Sequence, residues 1–267
     1  MKSDSARYDR EMEQHFHGGL RVGFFGGSFD PPHEGHLAVA RAARAALQLD
    51  TVLFAPVGAQ PLKPQGSTAS FEDRVEMTSL AIEGIPGFAV SLVDAPKPAA
   101  APNYTLDTLL DLRATLPAGG TLFCLMGADS FFGLKRWHRS AEIPFVAPLI
   151  VASRPGQPLD DLRAALPPGL TLGADPRCHP APQTAGEGAV VVQAFQLRNP
   201  AGGTAPFFLL PGLHIEISAS QIRDFIRGGI RNGEREEIAG APDSRLSRQQ
   251  LLPGAVLNYI RSHGLYR

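Results

Sequence analysis

Cysteine is nearly absent from this 267-residue chain: there are two, Cys124 and Cys178. So few thiols in so long a chain exclude a disulfide framework. Cys124 sits in the apolar run Leu122–Met126 and reads as core filler. Cys178-His179 has no second Cys/His pair at ligand spacing, so a closed metal site is not expected. Net charge is also lacking. Lys plus Arg number 25 and Asp plus Glu 26, a balance of −1, so no global basic field draws in nucleic acid. Any anionic ligand must be held locally. No uncharged apolar stretch approaches the roughly 18 residues of a membrane span. Met1 to Gly19 is polar and charged with no apolar h-region; it reads as a flexible tail and not as a signal peptide. The glycine pattern is not GxGxxG, no nucleophile elbow or Ser–His–Asp arrangement is present, and no internal repeat is seen. A dehydrogenase is therefore disfavoured, no covalent intermediate on the protein is expected, and the expected location is the cytoplasm.

What the chain does have is alternation. Short apolar runs at 21–25, 51–55, 88–93, 121–126 and 148–152 read as buried strands. Between them, 35–47, 71–82, 105–116 and 130–136 carry helical patterns, and two more helices are expected at 220–227 and 254–263. Strands and helices alternating at this spacing imply βαβ crossovers. The expected fold class is α/β: a Rossmann-like, doubly wound, mostly parallel sheet with helices on both faces and a small C-terminal helical portion. Residues 155–206 differ, with nine Pro and seven Gly in 52 positions. They read as a loop-rich insertion, with one strand-like run at 189–195, in a single domain spanning 20–267. Such a loop is expected to accept deletions between about 160 and 185.

In an open parallel sheet, ligands bind beyond the carboxyl ends of the strands. The segment after the first strand reads Gly26-Gly27-Ser28-Phe29-Asp30-Pro31-Pro32-His33-Glu34-Gly35-His36. Its glycines permit close backbone approach and its prolines stiffen the turn. His33 and His36 fall on one side as the helix begins, where free N–H groups and the positive dipole end favour phosphate. A second cluster, Ile217-Ser218-Ala219-Ser220-Gln221-Ile222-Arg223, offers a hydroxyl at Ser218, an N-cap candidate in Ser220 and a guanidinium at Arg223 suited to phosphate oxygens.

Together these two strings resemble the signature and the C-terminal phosphate-binding motif of the HxGH nucleotidyltransferase superfamily. Within it, the chain is similar to bacterial nicotinate-nucleotide adenylyltransferases. Tyr104-Thr105-Leu106-Asp107-Thr108-Leu109 resembles that family's YTxDTL element. Gly127-Ala128-Asp129-Ser130 with Trp137-His138 resembles its GxD…WH element, Arg154-Pro155-Gly156 its RPG, and Val256–Ile260 with Leu265-Tyr266 its ending. One departure is plain: the family's PHK element is Pro61-Leu62-Lys63 here, so Leu62 stands where an imidazole is usual.

The resemblance implies transfer of AMP from ATP to nicotinate mononucleotide, giving nicotinate adenine dinucleotide and pyrophosphate in NAD biosynthesis, with Mg²⁺ carried on the ATP. It implies His33, His36, Lys63 and Arg223 as catalytic residues. It implies Gly26, Gly27, Ser28, Phe29, Gly127, Asp129, Ser218 and Ser220 as ATP contacts, and Asp30, Tyr104, Thr105 and Trp137 as acceptor contacts. No resident protein-bound metal, nucleic acid or membrane partner is implied, and homo-oligomerisation is left open. From the residues alone, Trp137 also reads as core packing, and Asp129 and Thr105 as helix caps. The rival functions are a phosphopantetheine or cytidylyl relative, which would usually carry Thr where His33 stands, and a non-catalytic nucleotide sensor.

Overall fold

Eight strands form one sheet in the order β3-β2-β1-β4-β5-β8-β7-β6. The elements, in chain order, are β1 (Arg21–Gly27), α1 (Glu34–Leu47), β2 (Thr51–Pro56), α2 (Phe71–Ile82), β3 (Phe88–Val90), α3 (Thr105–Thr115), β4 (Thr121–Gly127), α4 (Ala128–Gly133), α5 (Ile143–Val146), β5 (Leu149–Ala152), α6 (Leu159–Ala164), β6 (Thr171–Ala174), β7 (Gln193–Arg198), β8 (Thr204–Leu210), α7 (Ala219–Gly229) and α8 (Gly254–Ser262). The computed structural model describes residues 19–63, 65–153, 158–174, 192–211, 218–229 and 251–267. The tail up to residue 18, the Arg154-Pro155-Gly156 element, Cys178-His179 and Ile217 lie outside them.

The parallel pairings are β2–β3, β1–β4, β4–β5 and β5–β8; β7 runs antiparallel to both β8 and β6. This is the doubly wound, mostly parallel α/β arrangement expected from the alternation, with an antiparallel edge added. The helix expected at 71–82 forms over those same residues, with Ser70 Oγ accepting the Asp73 N–H at 3.0 Å as its N-cap.

The loop-rich reading of 155–206 needs correction. Its described parts supply α6, β6, β7 and the start of β8. Leu162, Leu197 and Phe207 are fully buried, and Ala165, Leu166 and Leu170 nearly so. Tolerance of deletion across 160–170 is therefore not expected. The Pro and Gly residues punctuate short elements whose apolar side chains enter the core, and pairing of β7 with β8 and of β6 with β7 stabilises the strands.

The described residues fall into two compact units, where one domain was expected. The first comprises residues up to Phe24, Ala42–Thr51 and Thr105–Leu213. Its core is the centre of β4, β5 and β8, where Phe131 packs on Phe207 at 5.5 Å and Phe123 on Phe208 at 6.1 Å between ring centroids. The second comprises Phe25–Arg41, Val52–Tyr104 and residues 214–267. There Phe25, Phe29 and Phe54 form an aromatic cluster with centroids 5.5–5.7 Å apart. In this second unit α8 packs against α2, tied by Tyr259 Oη donating to Asp73 at 2.9 Å. Gly58, just beyond β2, has no room for a side chain: a Cβ would lie 2.5 Å from the Pro96 backbone.

Candidate active site

The turn from β1 into α1 lies wholly in the second unit, together with Lys63 and Arg223. The Phe25 and Phe29 rings lie at 6.0 and 4.9 Å from the His36 ring and hold it. Phe29 takes φ 46° and is 1% exposed. Its ring is therefore core and not presented at the surface of the turn.

His33 and His36 stack with centroids 3.8 Å apart. The His33 backbone N–H donates to His36 Nδ1 at 3.2 Å. That bond assigns the tautomer: Nδ1 accepts, so the neutral ring carries its hydrogen on Nε2, ready to donate to an oxyanion. His33 is buried, and its Nδ1 has no hydrogen-bond partner among the described residues. Burial pushes the His33 imidazole down to about 4. Burial, and then the neighbouring His33, hold His36 well below the usual imidazole range. Both rings are thus neutral near pH 7 in the free protein.

Beside them, Lys63 Nζ donates to Ser28 Oγ at 2.9 Å, and Ser28 Oγ donates to Gln60 Oε1 at 3.2 Å. Arg74, which no sequence motif singles out, is 2% exposed. It donates to the carbonyls of Ser28 at 2.8 Å and Val57 at 2.9 Å, fixing the turn from behind. Arg223 donates to the Asp30 carbonyl at 2.7 Å and to Ser220 Oγ at 3.2 Å. Lys63 is pushed down by burial and by the Arg223 and Arg74 charges, against the pull of Asp30. Three cations crowd one carboxylate, which favours arrival of an anion.

The Asp30 carboxylate is engaged within the protein. It is buried and accepts the N–H groups of Thr68 at 2.6 Å and Ala69 at 3.1 Å and the Tyr266 hydroxyl at 2.7 Å. Ser220 is not the cap of α7. Ser218 Oγ accepts the Gln221 N–H at 3.2 Å, and Gln221 Oε1 accepts from the Ser218 N–H and hydroxyl at 3.0 and 2.9 Å, a capping box. The S-x-x-Q spacing could have shown this.

The remaining expected site residues are placed on the fold as follows. Tyr104 closes a segment of the second unit and is half-buried. The side chain of its neighbour Asn103 accepts from Ala59 N–H at 2.9 Å and donates to the Ala95 carbonyl at 3.1 Å. Thr105, Gly127, Asp129 and Trp137 belong to the first unit. Thr105 opens α3; Gly127, not Asp129, caps α4, leaving Asp129 exposed in its first turn. Trp137 is half-buried at the end of a 3₁₀ turn over Leu134–Arg136 and is not a core residue.

Residues 24–225 match the cytidylyltransferase-like family model. A probable nicotinate-nucleotide adenylyltransferase of Gloeobacter violaceus is 36% identical over 93% of this chain and 97% of its own length. One of Citrifermentans bemidjiense is 33% identical over 92% and 98%. The chain belongs to the nicotinate-nucleotide adenylyltransferase family. Among solved structures, the nicotinic acid mononucleotide adenylyltransferase of Plasmodium falciparum complexed with NaAD superposes with a TM-score of 0.58. At 13% identity, covering 92% of this chain and 97% of that one, it establishes likeness of fold.

Proposed function

We propose that this protein transfers AMP from ATP to nicotinate mononucleotide, forming nicotinate adenine dinucleotide and pyrophosphate for NAD biosynthesis. The observation that carries the reading is the turn after β1: two neutral imidazoles beside Lys63 and Arg223, at the carboxyl end of a parallel strand.

An acceptor phosphate oxygen attacks the α-phosphorus of ATP. The new P–O bond forms as the α–β bridging P–O bond breaks, and pyrophosphate leaves with the electron pair. The nucleophile is already an anion, so the protein supplies position and charge, not a base. His36, through its Nε2–H, donates to the α-phosphate, and His33 to the neighbouring phosphates. Lys63, with Ser28 setting its ammonium, and Arg223, with the N-terminal turn of α7 at Ser218 and Ser220, hold the β and γ phosphates as charge builds there. The backbone at Gly26 and Gly27 admits the phosphates closely. Gly127 and Asp129 serve the ATP ribose; the N–H groups at Tyr104 and Thr105 and the ring of Trp137 serve the pyridine carboxylate and ring.

Among the described residues no group of three or more His, Cys, Asp or Glu is placed to hold a metal ion. Mg²⁺ is proposed to arrive on the ATP substrate, whose oxygens and waters supply its ligands. No described helix is long and apolar enough to cross a membrane, and we place the enzyme in the cytoplasm.

The test is pyrophosphate release from MgATP with a panel of mononucleotides and phosphopantetheine. Release with nicotinate mononucleotide is expected, and His36→Ala should lower kcat at least roughly 100-fold with the melting temperature little changed. Release with phosphopantetheine alone overturns the acceptor, and a His36→Ala enzyme of normal kcat overturns the role of that imidazole.

A further inference from the structure

Asp30 gathers groups far apart in the chain onto the turn that carries His33 and His36. Thr68 and Ala69 approach through their backbone N–H groups, Tyr266 through its hydroxyl, and Arg223 through its guanidinium. These contacts are not equivalent. The three neutral donors lie 2.6–3.1 Å from the carboxylate oxygens. Arg223 is held at 2.7 Å by the backbone carbonyl of Asp30, while its nearest approach to the carboxylate is 3.8 Å. The carboxylate 3.8 Å from Arg223 is thus occupied by neutral partners.

Tyr266 is aimed there by the end of α8. The Leu265 N–H donates to the Ile260 carbonyl and the Gly264 N–H to the Arg261 carbonyl, with Gly264 at φ 63°, a Schellman motif that turns the chain back. Tyr266 itself takes φ 64°, which a non-glycine residue seldom adopts, and its ring is 5% exposed. An outlier of that kind at a buried hydrogen bond points to a function for the bond.

We propose that Tyr266 is a positioning residue for adenylyl transfer: its hydroxyl, by occupying the Asp30 carboxylate, keeps that carboxylate from capturing Arg223 and so leaves the guanidinium to the polyphosphate. The inference rests on the functional reading above. An arginine has five N–H groups, and the bonds to the Asp30 carbonyl and Ser220 use two, leaving donors for phosphate oxygens. Without the Tyr266 hydroxyl, the buried carboxylate has lost a donor, and the cheapest replacement is the cation 3.8 Å away. A closed Asp30–Arg223 ion pair would then compete with pyrophosphate for the same guanidinium. Burial, and the adjacent Asp30 carboxylate, push the Tyr266 phenol far up, so it stays a donor at any working pH.

The experiment is a double-mutant cycle of Tyr266→Phe and Arg223→Ala, read in kcat with MgATP and nicotinate mononucleotide and in the Kd of inorganic pyrophosphate by calorimetry. Tyr266→Phe alone is expected to lower kcat and weaken pyrophosphate by about tenfold each, the scale of losing one charged hydrogen bond. In the Arg223→Ala background it should change neither by more than about twofold, because no arginine is left to capture. Adding Asp30→Asn to Tyr266→Phe removes the capturing charge and should recover pyrophosphate affinity. Equal losses in both backgrounds, wild-type values in Tyr266→Phe, or further loss on adding Asp30→Asn in a protein whose melting temperature shows it folded each overturn the proposal. A wild-type protein without transferase activity overturns the functional reading instead, and the pyrophosphate cycle then still decides the role of Tyr266.

Discussion

Asp30 and His33 lie three residues apart in one turn, and their surroundings are opposite. The Asp30 carboxylate is buried and bonded by donors from two distant stretches of chain. His33 is just as buried, yet its Nδ1 has no hydrogen-bond partner among the described residues, and its ring is pressed against a second imidazole. A buried polar atom left unpaired costs free energy. The turn therefore combines two kinds of group. One kind is bonded by the protein and holds the chain in place. The other is left short by the protein and keeps an open hydrogen-bonding position.

If that division is right, removing Asp30 damages stability above all. Asp30→Ala strips the acceptor from two backbone N–H groups and a buried hydroxyl, and leaves Arg223 without its nearest carboxylate. Breaking such a buried network costs about 3–5 kcal/mol. The expected outcome is a large fall in the urea midpoint. A variant within about 1 kcal/mol of the parent would show Asp30 to be no more structural than its neighbour.

His33 should reveal itself through pH. In the folded protein its ring takes a proton near pH 4, whereas in the unfolded chain it does so at the ordinary value of about 6.5. Between those values the unfolded state binds more protons, so stability rises with pH and is lost as pH falls from about 6.5 towards 4. Above 6.5 the group contributes nothing to the slope. The loss at the bottom of the window is about 3 kcal/mol at most. His36, also pushed down, adds a slope of the same sign. Pyrophosphate favours the protonated rings and should flatten the curve, as should His33→Gln. Urea midpoints at pH 7, 6 and 5 with and without pyrophosphate measure this slope, and a flat profile without the anion would show that His33 is not held neutral by the fold.

Much of this was legible in the residues, and the reason is local. The expected strands at 21–25, 51–55, 121–126 and 148–152 and the helix at 71–82 each carry their own periodicity, and the structure forms them within a residue or two. The histidine pair was legible because a strand, a Gly/Pro turn and a helix start adjoin in sequence. The Asp30 knot was not: two of its partners are backbone N–H groups, which have no residue identity, and the others lie 193 and 236 positions away. Arg74 was hidden by its place in an ordinary helical pattern, though it is almost fully buried. β8 was missed because the apolar run Phe207–Leu210 follows a Pro/Gly-rich stretch, and composition was allowed to outweigh it. Its pairing with β5 and β7 is tertiary, and no spacing rule reports it.

Trp137 carries the division into the other compact unit, with the smallest expected effect. It is half-buried, follows the single turn Leu134–Arg136, and its backbone N–H closes that turn on the Leu134 carbonyl. Truncation to alanine keeps that backbone bond. Because the indole is outside the buried core, Trp137→Ala should change stability by less than the 3 kcal/mol or more typical of a core tryptophan. If the ring instead serves the acceptor, what is lost is stacking on a cationic pyridinium, about 1–2 kcal/mol. That contact is made alike in the ground and transition states, since the pyridine is remote from the reacting phosphorus. Loss of uniform binding raises KM and spares kcat. The KM for nicotinate mononucleotide should therefore rise roughly 5- to 30-fold. The KM for ATP, whose phosphates are assigned to His33, His36, Lys63 and Arg223, should move little. Both KM values and the melting temperature, taken on one preparation, separate the two kinds of group. A tryptophan that holds the fold loses melting temperature and harms both substrates together; one left for the acceptor harms that substrate alone.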